Sequence, residues 1–190
     1  MIRPAHIPDV PAIAAIINDA AEHGLMLPRS LASLYENIRD YHVAIETGER
    51  GGERVVGVCG LGIMWANLAE VYALAITPDQ RGKGLGKRLV LAAVDEAERL
   101  GIRKLMTLTY EQKFFEKAGF GVVDRQTLPL KVWSECARCP KNQACDEIAM
   151  IRVLESVPEV EAPKPAVPPA DKYIVPVTLS GRRRAAVERR

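Results

Sequence analysis

The residues best suited to chemistry form a glycine-rich turn, Gln80-Arg81-Gly82-Lys83-Gly84-Leu85-Gly86. The turn follows a predicted strand that ends at Ile76 and precedes a predicted helix that begins at Leu85. Glycines leave room for a large anion beside the backbone and permit positive φ. The first amides of a helix lack partners within the helix, and the helix dipole adds partial positive charge there. The turn therefore predicts a phosphate or pyrophosphate site.

The spacing of the glycines and the neighbouring cations narrow the kind of anion site. Arg81, Lys83, Lys87 and Arg88 place positive charge around the turn. The segment lacks the Gly-Lys-Ser/Thr ending of a P-loop, which disfavours nucleotide hydrolysis. Its glycines stand at every second position, unlike the G-x-G-x-x-G of a dinucleotide site. A tight turn that binds nothing is the alternative, and the flanking cations count against it.

The predicted strands and helices on either side must position this turn. Periodic apolar residues, Gly and Pro at element ends and a cap at Ser30 predict the elements. The predicted strands are Ile2–Ile7, Tyr41–Glu46, Val55–Trp65, Glu70–Ile76, Lys104–Thr109, Phe120–Val123 and Ile148–Leu154. The predicted helices run from Asp9 or Pro11 to Gly24, from Ser30 with Leu31, Leu34 and Ile38 inward, over Leu85–Leu100 and over Glu111–Ala118.

Composition sets the size and broad class of the protein. The 190 residues are 48% hydrophobic, with 26 basic and 24 acidic side chains, which suits one domain with a real core. Residues 1–154 form this domain and carry as many basic as acidic side chains, so we expect no nucleic-acid partner. No apolar run approaches the roughly 20 residues that span a bilayer, and no signal-peptide pattern opens the chain. We expect a cytoplasmic protein with no membrane partner.

Residues 155–190 differ in composition from the preceding domain. Six prolines fall between Pro158 and Pro176, and five arginines lie in the last nine residues. This pattern predicts a Pro-rich linker and a disordered basic C-terminal tail. An arm that binds an anion or a partner is the alternative.

One motif resembles that of a known family. Arg81-x-x-Gly84-x-Gly86 after Leu74-Ala75-Ile76 is similar to the acetyl-CoA motif of the GNAT acetyltransferase superfamily. The resemblance implies an α/β (α+β) GNAT fold, with a central, mixed, mostly antiparallel sheet flanked by helices, and acetyl-CoA as co-substrate. It implies main-chain contacts of Leu74 and Ile76, with Ala75 between them, to the pantetheine arm. The implied pyrophosphate site comprises Arg81, Gly82, Lys83, Gly84, Leu85, Gly86 and Lys87.

Other segments resemble short bacterial N-acetylglutamate synthases, which are amino-acid N-acetyltransferases. The matching segments are Leu27–Leu31, Ile38–Tyr41, Leu108–Glu111, Phe114–Phe120 and Leu130–Trp133. The resemblance implies acetyl transfer to the α-amino group of L-glutamate, the first step of arginine biosynthesis. Another amino acid, a protein N-terminus or a non-catalytic CoA-sensing role are the alternatives. The sequence is compatible with a homodimer.

A dicarboxylate substrate requires cations, and two residues are candidates. Arg29 is the first, because a guanidinium group forms paired hydrogen bonds with a carboxylate. Lys131 is the second. The alternative for Arg29 is a solvent-facing position at a helix start.

The resemblance also implies catalytic roles. Many GNAT enzymes have an acidic residue near the start of this strand that accepts the amine proton, and the resemblance assigns that role to Glu70. An ordinary carboxylate at a strand end is the alternative. The family's usual tyrosine acid is replaced by Phe114-Phe115, so Tyr110 is the nearest phenol that could protonate the departing thiolate. The thiolate could also leave without an acid. Phe115 is expected against the coenzyme arm or in the core.

The cysteines are the last candidates. Cys136, Cys139 and Cys145 are close in sequence, but zinc sites prefer four ligands. Three interpretations are open: a structural metal site, a redox pair, or reduced cysteines that only pack. We predict no metal. Cys59 lies in an apolar strand and is expected in the core.

Overall fold

The computed structural model describes residues 1–48, 51–128 and 145–160. Its strands are β1 (Ile2–Pro4), β2 (Tyr41–Thr47), β3 (Glu53–Trp65), β4 (Leu68–Ile76), β5 (Lys104–Thr109), β6 (Gly121–Val122) and β7 (Ile148–Val153). Its α-helices are α1 (Val10–Glu22), α2 (Leu31–Glu36), α3 (Leu85–Arg99) and α4 (Gln112–Glu116). Within the described residues, this is the element order predicted from the sequence.

The strands form one sheet in the order β1-β2-β3-β4-β5-β7-β6. Among the described pairs, β4 and β5 alone run parallel, because α3 carries the chain back between them. The remaining neighbours are antiparallel. The predicted fold class, a mixed and mostly antiparallel sheet flanked by helices, is confirmed.

Helices cover both faces of the sheet. The first face packs against α3, whose buried residues are Leu89, Val90, Ala93, Val94 and Ala97. The second face packs against α1 through Val10, Ile13 and Ile17. A further cluster that includes Leu68, Met106 and Leu128 lies beside β4 and β5. Along β4 and β5, residues of this cluster alternate with residues of the α3 core. Because successive strand residues point to opposite faces of the sheet, this cluster lies on the α1 face.

Two local predictions are wrong in detail. The first strand ends at Pro4 rather than Ile7, because the chain turns into a short 3-10 helix over Ile7–Asp9. Arg3 pairs with Asp9 across this turn, at 2.7 Å and 3.1 Å. Leu31 was expected inward but is 53% exposed, since the six-residue α2 buries only Leu34. Ser30 does cap this helix, accepting a hydrogen bond from the Ser33 amide at 3.1 Å.

Packing continues a few residues past β7. Leu154 and Val157 are both buried in the α3 core cluster. Arg103 donates hydrogen bonds to the Val157 carbonyl and to Glu155. The linker and tail from residue 161, together with Lys131, Cys136 and Cys139, lie outside the described residues. In the part of the chain that is described, no helix has the length and apolar character needed to cross a membrane.

Candidate active site

A gap between β4 and β5 is the central feature of the site. The two strands pair at Leu68 with Lys104, Ala69 with Leu105 and Glu70 with Met106. β4 continues to Ile76 and β5 to Thr109, but among the described residues no further pairs join the two strands. The β4 edge from residue 71 to residue 76 therefore faces a gap rather than a strand. Because strand edges carry hydrogen-bonding groups, this edge can pair with an extended ligand.

A bulge in β4 helps to open the gap. Val58 faces Ala75 and Gly60 faces Tyr72, so β4 has one residue more than β3 between these pairs. Ala73 lies in this bulge with φ of 49°, the only positive φ at a non-glycine residue in the described chain. A bulge bends its strand and redirects the side chains beyond it. Leu74 and Ile76 consequently pack toward the α3 core, whereas Tyr72 and Ala75 lie on the α1 face.

The glycine-rich turn lies at the end of β4, as predicted. Gly82 and Gly84 both have φ of 76°, and open space surrounds the position a Cβ would occupy on each. Helix α3 begins at Leu85 and runs for 15 residues, so its first amides and dipole point at the turn. Arg81, Lys83 and Lys87 are exposed around it. The residues fit a pyrophosphate, because backbone donors, space and positive charge coincide.

A polar network that sequence reasoning missed anchors the turn to β2 and β3. Buried Gln80 donates to Glu46 at 2.5 Å and accepts from the Lys83 ammonium at 2.9 Å. Arg54 forms ion pairs with Glu46, at 2.7 Å, and with Asp79, at 2.5 Å. The Arg54 guanidinium holds the pKa of the Asp79 carboxyl well below its usual range. The one signal in the sequence was the position of Gln80 directly before the motif.

Phe114 and Phe115, the two aromatic residues of α4, lie in different surroundings. Phe115 is 4% exposed and packs edge-to-face on Phe114 and Phe120, so its place is in the core. The ring of Phe114 lies instead beside the first turn of α3, where a Cβ added to Gly86 would be 3.4 Å from it. Of the two rings, Phe114 is therefore the better placed to meet a ligand at the turn.

The two predicted acid–base residues lie along the same gap. Glu70 is half-buried and belongs to the last pair of β4 and β5 residues, where the gap begins. Tyr110 is half-buried and follows β5 directly. Tyr110 lies four residues beyond Met106, which corresponds to roughly 13 Å along the strand. The two side chains thus stand toward opposite ends of the gap.

Arg29 lies on the α1 face, near the same stretch of β4. Its guanidinium carbon is 5.4 Å from the centre of the Tyr72 ring. The Tyr72 hydroxyl donates to Asp40 at 3.0 Å, and burial raises the pKa of the Asp40 carboxyl and that of the Tyr72 phenol. Tyr72 stands two residues after Glu70, so the two side chains share a face. Arg29, Tyr72 and Glu70 therefore line one region, of which the sequence had indicated only Arg29 and Glu70.

The cysteine region is described only in part. Cys145 is half-buried, and its thiol lies 3.6 Å from a Glu147 carboxylate oxygen. Within residues 1–48, 51–128 and 145–160, no group of three or more His, Cys, Asp or Glu side chains could hold a metal ion. Cys59 is fully buried, as predicted, and burial raises the pKa of its thiol to about 12.

Comparison with known proteins agrees with this geometry. The chain is 36% identical over 153 residues to an uncharacterized N-acetyltransferase of Chlorobaculum tepidum, a match that covers 80% of this chain and 96% of the relative. It is 30% identical to an amino-acid acetyltransferase of Mycobacterium tuberculosis, covering 73% and 78% of the two chains.

A solved structure gives the same result. The N-acetylglutamate synthase of Neisseria gonorrhoeae, complexed with coenzyme A and N-acetyl-glutamate, superposes with a TM-score of 0.71 at 27% identity. The match covers 81% of this chain and 35% of that longer protein. The Acetyltransferase (GNAT) family model matches residues 12–120. The chain is an acyltransferase that belongs to the acetyltransferase (GNAT) family.

Proposed function

We propose that this protein transfers the acetyl group of acetyl-CoA to the α-amino group of L-glutamate. Acetyl-CoA is the co-substrate of this acyltransferase. The observation that carries the glutamate proposal is the position of Arg29. This cation lies on the same face of β4 as Glu70, beside the gap, where an amino acid would have to meet the coenzyme.

The chain offers a distinct group for each part of the coenzyme. The first amides of α3, with Arg81, Lys83 and Lys87, would hold the pyrophosphate. The main chain of Leu74, Ala75 and Ile76 would pair with the pantetheine arm along the gap. This arrangement would bring the thioester toward the start of the gap.

The transfer needs a neutral amine that is aligned with the thioester. We assign Glu70 as the acceptor of the proton that the ammonium group of the amino acid must lose. A C–N bond to the acetyl carbon then forms as the C–S bond breaks, and the sulfur leaves as a thiolate. The nitrogen releases its second proton as the amide forms. The thiolate can take up a proton from solution or leave without an acid, because Tyr110, the nearest phenol, stands toward the opposite end of the gap from Glu70. Direct transfer in a ternary complex needs no acyl-enzyme.

Carboxylate recognition distinguishes glutamate from other amines. Arg29 supplies planar donors that match a carboxylate, and Lys131, outside the described residues, is proposed as a second cation. Similarity to an amino-acid acetyltransferase and to an N-acetylglutamate synthase supports this substrate class. Such an enzyme would act in arginine biosynthesis in the cytoplasm.

A survey of amino acids tests the proposal. The purified full chain would be given acetyl-CoA and each of the twenty amino acids, and thiol release would be measured. We expect kcat/KM for glutamate to exceed that for glutamine and aspartate at least tenfold. If a different amino acid has the highest kcat/KM, that amino acid and not glutamate is the substrate. Tight CoA binding without turnover of any amino acid would favour a sensor.

A further inference from the structure

The ring of Tyr72 lies between three elements of the site. It belongs to β4, it faces the guanidinium of Arg29, and its hydroxyl reaches Asp40 just before β2. A cation within about 6 Å of a tyrosine ring centre is attracted to the π face. The Arg29 guanidinium, at 5.4 Å, meets this condition.

The sheet beneath holds the ring in place. Gly60 of β3 faces Tyr72, and a Cβ added to Gly60 would be 2.7 Å from the ring. A Cβ added to Gly62 would be 3.2 Å from it. The ring therefore occupies a trough that only glycines leave open. Tyr41 contacts it edge-on, with ring centres 5.5 Å apart, and the bond to Asp40 fixes its outer end.

The backbone of Arg29 is held independently of its side chain. The Asn18 side chain of α1 accepts from the Arg29 amide at 2.9 Å and donates to the Arg29 carbonyl at 3.1 Å. This paired contact fixes where the loop before α2 crosses the sheet. From this fixed backbone the side chain extends to the Tyr72 ring, which its guanidinium faces.

Contact with the ring and contact with a carboxylate use different parts of the guanidinium. The attraction to Tyr72 acts through the face of the group, whereas its N–H donors lie in the plane. The ring can therefore direct Arg29 without competing for the donors that a carboxylate would use.

We infer that Tyr72 is a positioning residue that presents Arg29 to the carboxylate of the amino-acid substrate. This inference rests on the proposed function. It predicts that Tyr72 acts on amino-acid affinity, through Arg29, and has little effect on the coenzyme or on the chemical step.

A double-mutant cycle on the amino acid with the highest turnover tests the inference. Tyr72→Leu removes the π face but keeps an apolar side chain, and we expect KM for the amino acid to rise about fivefold. KM for acetyl-CoA and kcat should change less than twofold. In an Arg29→Ala background, Tyr72→Leu should raise KM no further, because the residue through which it acts is gone.

Two further variants separate positioning from general damage. Tyr72→Phe keeps the ring and should leave KM within about twofold of the wild type, because the π face is retained. Gly60→Ala should raise KM as Tyr72→Leu does, since the added methyl group displaces the ring. It also replaces Tyr72→Leu in the cycle if that variant does not fold. Tyr35→Leu, on exposed α2, is the matched control.

The possible outcomes separate this inference from the proposed function. An unchanged KM in Tyr72→Leu, or an equal rise with and without Arg29, would overturn the inference while the proposed transferase activity stands. If the wild-type enzyme acetylates no amino acid, the proposed function and this inference both fail.

Discussion

Glu70 of β4 and Met106 of β5 are the last facing residues of the two strands before these separate. The proposed proton acceptor thus stands where the pairing of β4 with β5 ends and the gap begins. The proposed proton transfer therefore takes place at the end of the proposed path of the coenzyme.

Replacing Glu70 tests its role as the base. Glu70→Gln is nearly isosteric but cannot accept a proton, and we expect kcat to fall by about 10². Activity should recover in part at higher pH, because the solution then supplies neutral amine. The check is a pH profile of kcat beside that of Asp95→Asn, an exposed change on α3. A Glu70→Gln enzyme with wild-type kcat at neutral pH would remove Glu70 from the mechanism.

Arg29 is expected to act on the amino acid alone. Arg29→Ala should raise KM for glutamate by roughly 10-fold or more, because a charge-assisted pair with a carboxylate contributes about 1.5–3 kcal/mol. KM for acetyl-CoA should not change. Arg99→Ala, an exposed arginine at the end of α3, is the matched control. An unchanged glutamate KM would show that another group binds the carboxylate.

The proposed role of the glycine-rich turn can be tested by comparing two glycines of similar conformation. Gly84 and Gly101 have φ of 76° and 75°, and both have open space where a Cβ would stand. Alanine at either position should cost about 1–2 kcal/mol of stability. Only Gly84→Ala should also raise KM for acetyl-CoA, by about tenfold, because only Gly84 lies in the turn. Equal coenzyme affinity in the two variants would argue against a pyrophosphate site there.

Stability at mildly acidic pH should depend on His42. This side chain is 5% exposed, and burial, opposed by Glu96 and reinforced by Arg99, lowers its pKa. The folded protein therefore binds this proton less readily than the unfolded chain, whose histidine titrates near pH 6.5. The free energy of unfolding should fall as pH drops below about 6.5 toward the lowered value.

Denaturant unfolding between pH 7.5 and pH 5.5 measures this dependence. His42→Gln should flatten it, whereas His23→Gln, at an exposed position, should retain the wild-type slope. A wild-type slope in His42→Gln would assign the pH dependence to other groups.

Local patterns account for most of the fold. Helix α3 was predictable because its apolar residues recur with helical spacing and Gly101 follows its end. The turn was predictable because its glycines, cations and position between a strand and a helix are all contiguous. The exposure of Leu31 was not, because a helix of six residues is too short for periodicity to show which side is buried.

The pairing of Arg29 with Tyr72 could not be read from spacing. The two residues are far apart in sequence and meet only when the loop before α2 crosses β4. The bulge at Ala73 also interrupts the alternation along β4, so simple period-two counting misplaces the side chains beyond it. Phe114 and Phe115 are adjacent, and only packing decides which of them enters the core.

Product identification with the full chain tests the central claim most directly. Acetyl-CoA and L-glutamate would be incubated with the purified protein, and free CoA and N-acetylglutamate would be quantified together by mass spectrometry. We predict that the two products appear one for one, and that Glu70→Gln slows both equally. Binding of CoA with no acetylated product from glutamate or any other amino acid would contradict the account.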